Sequence, residues 1–135
     1  MKVKDKFEEY KKLNPDTLVV MKVGSFYVAF GMDAFILSYV FSYQVKNDKV
    51  GFPLSTLDKV LFELGEKKIN YMVVVEDIVT VEKKNLDNQY FEVLTLAQKF
   101  YNNKTLTDFL IERIRLLVHK DESNYFKIKD FIDEL

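Results

Sequence analysis

The chain has 135 residues, of which 48% are hydrophobic and 15% aromatic, and a net charge of −1 from 20 basic and 21 acidic side chains. This composition is typical of one folded domain, and the balanced charge argues against a dedicated, tight nucleic-acid binder. The lack of cysteine excludes disulfides and thiolate metal sites, and a single histidine, His119, argues against a zinc or di-iron centre.

No cofactor and no metal are therefore expected. The charged start, MKVKDKFEEYKK, lacks the apolar segment of a signal peptide. The most apolar region, residues 18–43, is interrupted by Lys22 and Asp33 and is not a membrane span. These features predict a soluble, cytoplasmic protein with no membrane partner.

The first predicted elements are a short helix and a hairpin. Apolar side chains recur at helical spacing within residues 4–13, and Asn14-Pro15 ends this helix. Residues 17–23 are rich in β-branched side chains and predict a buried strand. Because Gly24-Ser25 is too short for a crossover connection, residues 26–31 should form a second strand antiparallel to the first.

The central part of the chain predicts two helices and a turn. Asp33 is positioned to cap an almost entirely apolar helix over residues 33–42. Asn47-Asp48 predicts a turn between two short strands within residues 44–52. Ser55 and Asp58 resemble a capping box at the start of a helix over residues 55–65.

The last third begins with a strand and continues as helix. Residues 69–77 predict the strongest strand of the chain, and a charged loop follows around residues 82–89. Residues 90–96 fit strand or helix, and we expect a strand. From residue 97 the pattern is helical, with a final short helix over residues 121–135. The helix over residues 105–120 should bury an apolar face, on the sheet or on a partner, formed by Leu106, Phe109, Leu110, Leu117 and Val118.

These elements predict an α/β (α+β-like) fold, in which a mixed β-sheet is flanked by helices and followed by a C-terminal helical tail. We expect a single domain over residues 1–135. Its core spans about residues 4–96, and residues 97–135 form a helical extension.

Three segments resemble one known family. NPDTLVVMKVGSFYVAF (14–30) is similar to the start of the mismatch-recognition domain, domain I, of the DNA mismatch-repair protein MutS, where a Pro-Asp-Thr turn and a strand lead into Gly-Asp-Phe-Tyr-Glu-Leu-Phe. VGFPLSTLDKVLFEL (50–64) resembles that family's Gly-Val-Pro segment and helix, and KKINYMVVVED (67–77) resembles its closing strand. The resemblance covers about residues 4–77 in the family's order and implies the family's domain I fold.

The resemblance also implies a DNA wedge. In the family, the motif phenylalanine inserts beside a mispaired base, where a kink costs least, and the glutamate two residues later bonds that base. Phe26 matches the phenylalanine, Ser25 stands at the aspartate position, and Val28 stands at the glutamate position. Valine has no hydrogen-bonding group, so the base-reading half of the motif is lost. Phe26 and Tyr27 can also be read as core residues.

Lysines supply most of the basic charge, and the chain has no G-x-x-x-x-G-K-[ST] motif of an ATPase. Lys67, Lys68, Lys83 and Lys84 would form a modest phosphate patch if they converged, although the short lysine runs, including Tyr10-Lys11-Lys12, are most often solvated faces. The candidate DNA-binding residues are Ser25, Phe26, Tyr27 and those four lysines.

Two functions are left open by the sequence. The first is a non-catalytic, DNA-associated module with weak structure- or mismatch-selective duplex binding through Phe26. The second is a protein-interaction or self-assembly module that has lost DNA binding and pairs with itself as a homodimer or with another protein. The twenty Phe and Tyr side chains favour an exposed partner surface. A nuclease reading of Asp77, Glu82 and Lys84 is weak, because a second E-x-K occurs at Glu66.

Overall fold

A computed structural model describes residues 2–135, except for the side chain of Phe109. The chain divides into two compact units, residues 1–99 and residues 100–135. The elements, in chain order, are α1 (Val3–Leu13), β1 (Leu18–Val23), β2 (Phe26–Phe30), α2 (Gly31–Phe41), β3 (Lys49–Pro53), a 3-10 turn (Leu54–Thr56), α3 (Leu57–Glu66), β4 (Tyr71–Val75), β5 (Ile78–Lys83), α4 (Tyr90–Lys120) and α5 (Ser123–Asp133).

The five strands form one mixed sheet in the order β3-β2-β1-β4-β5. β1 pairs with β2 in antiparallel and with β4 in parallel orientation, and the outer pairs β2–β3 and β4–β5 are antiparallel. The predicted antiparallel hairpin, the neighbouring strand within residues 69–77 and the flanked mixed sheet are confirmed.

This topology gives the sheet two distinct ends. At the hairpin end, defined by the Gly24-Ser25 turn, Pro53 and the Glu76-Asp77 turn, β1 and β4 finish and β2 and β5 start. At the distal end, defined by Leu18, Tyr71 and Lys83, β1 and β4 start and β5 finishes.

The core lies around the central strands. The first four residues of β1 are buried, as are the three middle residues of β4. α1 packs through Phe7, whose ring meets the ring of Phe30 edge-on at 5.2 Å between centroids. Because β1 pairs on both sides and is covered on both faces, its sequence is a nearly continuous apolar run.

Both predicted capping interactions are wrong. α2 begins at Gly31 with Phe30 as its N-cap, and Asp33 lies inside the first turn with its side chain bonded elsewhere. Before α3 the chain makes a 3-10 turn, in which the Thr56 hydroxyl donates to the Pro53 carbonyl at 2.8 Å. The N-terminus of α3 has no side-chain cap from Ser55 or Asp58.

Two further differences concern the region after β4. The strand expected over residues 90–96 is the start of α4, where Tyr90, Leu94 and Ala97 are buried at helical spacing. β5, which was not predicted, follows a two-residue turn in which Glu76 and Asp77 both have positive φ, as in a type I′ hairpin. All six residues of β5 are exposed, and β5 is an edge strand of the sheet.

In residues 100–135, α4 and α5 are joined by Asp121-Glu122. The side chains of Leu106, Leu110 and Leu117, which we expected to be buried either on the sheet or on a partner, are exposed. The predicted inward position of Phe109 lies outside the described side chains. In the part of the chain that the structure describes, none of the helices is long and apolar enough to cross a membrane.

Candidate nucleic-acid interface

The turn before Phe26 requires glycine for its backbone conformation. Gly24 has φ +59°, whereas Ser25 is not among the residues with positive φ, which is the pattern of a type II′ hairpin turn. A Cβ added at Gly24 would meet nothing within 4 Å, so conformation, and not space, selects the glycine. The carbonyl of Ser25 accepts a bond from the amide of Leu54 at 3.3 Å, which ties the turn to the end of β3.

Phe26 is the first residue of β2, and its side chain is 50% exposed. It stands opposite Val23 on one side and Pro53 on the other, and both of these residues are exposed. Directly paired residues point to the same face of a sheet. The three side chains therefore form one apolar row at the hairpin end, and Phe26 is its centre.

Tyr27 and Val28 lie inside the fold. Tyr27 is 9% exposed, and its ring lies 5.8 Å from the ring of Phe52. Val28 is 8% exposed and is paired with Met21 and Gly51 on the face that carries Phe26. The position that corresponds to the family's base-reading glutamate is thus apolar and buried just behind the exposed ring.

The four candidate lysines lie at the distal end. Lys67 and Lys68 follow α3 and precede β4, and Lys83 ends β5 opposite Tyr71. Lys84 lies 3.4 Å from Glu82 and Lys68 lies 4.0 Å from Asp87, both as exposed pairs. From strand rise and spacing, these lysines are about 20 Å from Phe26. The sheet therefore brings the lysines near one another and keeps them away from Phe26.

The charge near Phe26 is mixed. Lys22, which is exposed and opposite Tyr27, is the nearest cation along β1. Glu76 and Asp77 occupy the other turn at the hairpin end, and Asp77 bonds Lys6 at 3.2 Å and accepts at its carbonyl from the Tyr10 hydroxyl at 3.1 Å. The hairpin end is consequently not a strong electrostatic attractor for phosphates.

A buried polar cluster was missed by the sequence analysis. The carboxylate of Asp33, which is fully buried, accepts bonds from the ammonium of Lys11 at 3.1 Å, the hydroxyl of Tyr90 and the amide of Val19 at 3.0 Å. Lys11 also donates to the Thr17 carbonyl and lies over the Tyr90 ring, 4.6 Å from its centroid. The reading of Lys11 as a solvated lysine is wrong. An aspartate inside an apolar helix was the available signal, because such a group needs partners.

Burial sets the protonation behaviour of this cluster. It raises the pKa of Asp33 above 3.8, and the positive charge of Lys11 and the bonds from Tyr90 and Val19 partly offset that rise. Burial, together with the neighbouring Asp33 carboxylate, also raises the pKa of the Tyr90 hydroxyl, which remains a hydrogen-bond donor. The cluster joins α1, β1, α2 and α4, which is a structural role.

Metal chemistry finds no support in the described residues, since no group of three or more His, Asp or Glu side chains there could hold an ion. His119 lies in the last turn of α4, where a positive charge is favoured by the helix dipole.

Two comparisons with known proteins bear on the family of this chain. A comparison with curated proteins gave no match. The family model of MutS domain I matches residues 2–99, which include Phe26, the whole sheet and the start of α4. The match covers most of the chain, and the chain belongs to the MutS domain I family.

Proposed function

We propose that this chain is a non-catalytic, DNA-associated module that binds distorted or mismatched duplex weakly through Phe26. The observation that carries the proposal is the half-exposed Phe26 ring at a tight turn, in a chain of the MutS domain I family. An apolar ring that enters a base step unstacks it and kinks the duplex, and this costs least where pairing is already disturbed.

Binding should be weak for two reasons. Val28 can neither donate nor accept a hydrogen bond, so the mispaired base is not read. The candidate lysines, about 20 Å from Phe26, would meet phosphates roughly six steps along a strand at 3.4 Å per step. Only a duplex that runs along the sheet would contact both Phe26 and the lysines, and few phosphate contacts would then anchor that duplex.

The contacts nearest the duplex would come from Phe26 and from the exposed Ser25. Tyr27, whose ring lies tilted against that of Phe52, would support the hairpin from behind without touching DNA. Lys67, Lys68, Lys83 and Lys84 would supply a separate phosphate contact.

The test is a titration of labelled matched, mismatched and branched duplexes at several salt concentrations. Phe26→Ala should weaken binding to mismatched and branched duplex about 5- to 150-fold, which corresponds to the roughly 1–3 kcal/mol of a base–aromatic contact. Phe62→Ala is the matched control, because Phe62 on α3 is also an exposed phenylalanine. Equal affinity of both variants and the unaltered chain for every duplex would contradict the proposal.

A second experiment tests the lost glutamate. Val28→Glu should sharpen the preference for mismatched over matched duplex, with Val28→Gln as the uncharged control of similar size. Because Val28 is buried between Met21 and Gly51, the folded fraction of both variants is measured first. A Glu variant that folds and shows no new preference would argue against base reading from this position.

The second candidate function is a protein-interaction or self-assembly module without DNA affinity. The exposed apolar side chains of residues 100–135 favour it. The two functions are separable, because one depends on Phe26 and duplex and the other on protein concentration alone.

A further inference from the structure

The second unit of the chain is an α-helical hairpin. The connection between α4 and α5 is two residues long, and the Asn124 side-chain amide donates to the Leu117 carbonyl at 2.8 Å. Side chains of both helices line one shallow groove: Ile114, Val118, Tyr125, Ile128, Lys129 and Ile132. A short connection and shared contacts of this kind are those of two antiparallel helices.

This hairpin buries no core of its own. Among the side chains described in residues 100–135, none is buried, and Ile114, Val118 and Ile128 are the half-buried apolar ones. Ten large apolar side chains are at least 45% exposed: Leu106, Leu110, Ile111, Leu116, Leu117, Tyr125, Phe126, Phe131, Ile132 and Leu135. Two helices with that much uncovered apolar surface need a further layer.

The uncovered surface includes a stripe along α4. Leu106, Leu110 and Leu117 recur at intervals of four and seven residues and lie on one helix face. α5 has 11 residues, and its Ile132 shares the groove with Ile114, so α5 ends near that turn of α4. Leu106 and Leu110 lie beyond the part of α4 that α5 covers.

We infer that residues 100–135 pair with a second copy of themselves to form a four-helix bundle, with α4 of each chain against α5 of the other. The distribution of charge along residues 100–135 supports a second copy of the chain as the binding partner. Residues 100–120 carry four basic and two acidic side chains, and residues 121–135 carry two basic and five acidic ones. Two-fold symmetry brings each of these surfaces against its complement.

The area of the apolar surface agrees with a dimer. An aromatic side chain covers about 150–250 Å² when buried, so the three half-exposed rings alone contribute about 300 Å². With the six exposed aliphatic side chains other than Leu116, which lies on another face of α4, the exposed surface reaches the roughly 800 Å² per partner of a stable interface. This inference does not depend on DNA binding.

The test is sedimentation equilibrium of the full chain over about 1–100 µM, a range in which a micromolar dissociation constant is measurable. The chain should be dimeric at the upper concentrations. Leu110→Glu, on the stripe, should raise the dissociation constant roughly tenfold or more. Leu116→Glu is the matched control, because Leu116 is also exposed on α4 but points away from the stripe, and this variant should dimerise like the unaltered chain.

A charge exchange keeps the inference testable if Leu110→Glu unfolds the hairpin. Arg113→Glu in one chain, and Asp130→Lys with Glu134→Lys in another, should each weaken self-association, and mixing the two chains should restore a dimer. A chain that stays monomeric at every concentration, equal effects of the Leu110 and Leu116 variants, or failure of the mixed chains to pair would overturn the inference.

Discussion

The hydroxyl of Tyr90 donates a hydrogen bond to the buried carboxylate of Asp33, 57 positions earlier in the chain, at 2.5 Å. This contact ties the start of α4 to the first turn of α2, and Lys11 on α1 meets the same carboxylate oxygen. The amide of Val19 on β1 also donates to this carboxylate, so four elements share one polar centre inside an apolar core. A buried acceptor of this kind is costly when a donor is removed.

Tyr90→Phe should therefore lower the free energy of unfolding by about 1–3 kcal/mol, because it leaves the Asp33 carboxylate with one donor fewer. Urea unfolding monitored by circular dichroism measures the change. Tyr125→Phe is the control, since Tyr125 is exposed, and its effect should lie within about 0.5 kcal/mol. Equal stability of the two variants would mean that the Tyr90–Asp33 bond contributes nothing.

The raised pKa of Asp33 predicts a pH dependence. In the folded protein Asp33 keeps its proton to higher pH than in the unfolded chain, where the pKa is near 3.8. Between the pKa of Asp33 in the unfolded chain and its pKa in the folded protein, the folded state binds more protons than the unfolded state. The stability contributed by Asp33 therefore falls as pH rises from about 4 through the folded pKa.

The measurement compares the unaltered chain with Asp33→Asn, which lacks the titrating group. The stability difference, unaltered minus variant, should decrease as pH rises through the window and become constant above it. Other carboxylates titrate in both proteins and cancel. A difference that grows with pH would show that the Lys11 charge outweighs burial and holds the pKa of Asp33 low.

Phe26 and Phe52 should respond differently to truncation. Phe52→Ala removes a ring that is 1% exposed, stacked with Tyr43 and in contact with the tilted ring of Tyr27, and should cost about 3–5 kcal/mol. Phe26→Ala removes a half-exposed ring and should cost clearly less. Thermal unfolding of both variants, with the same heating rate, tests this. If Phe26→Ala is as destabilising as Phe52→Ala, Phe26 is a core residue.

Replacing each of two glycines by alanine should change the stability of the protein in opposite directions. Gly24→Ala should destabilise by about 1–2 kcal/mol, because φ +59° is unfavourable for a side chain even where space is free. Gly65→Ala should stabilise by about 0.5–1 kcal/mol, because Gly65 lies within α3, and the added Cβ meets only Lys83 Nζ at 3.8 Å. The denaturant midpoints of the two variants and the unaltered chain measure these changes in stability. If Gly65→Ala destabilised the protein as much as Gly24→Ala, backbone conformation would not be the cause of the Gly24→Ala effect.

The sequence by itself determined the central hairpin and its neighbour. The β-branched runs around Val19 and Val73 and the two-residue Gly24-Ser25 turn specify local geometry, and a two-residue connection permits only antiparallel pairing. The family motif around Phe26 was also readable, because it consists of adjacent residues.

Other features of the fold were decided only by the tertiary structure, because they depend on contacts between residues that are distant in the sequence. In YFEVLTL (90–96), the apolar residues fit both the two-residue period of a strand and the 3.6-residue period of a helix. The helical state of this segment follows from the burial of Tyr90, Leu94 and Ala97 against the core. Asp33 has the composition of a helix cap, yet it bonds Lys11, Val19 and Tyr90, which no local pattern indicates. The separation of Phe26 from the lysines follows from the parallel β1–β4 register, because parallel pairing puts the end of one strand and the start of its neighbour at opposite ends of the sheet.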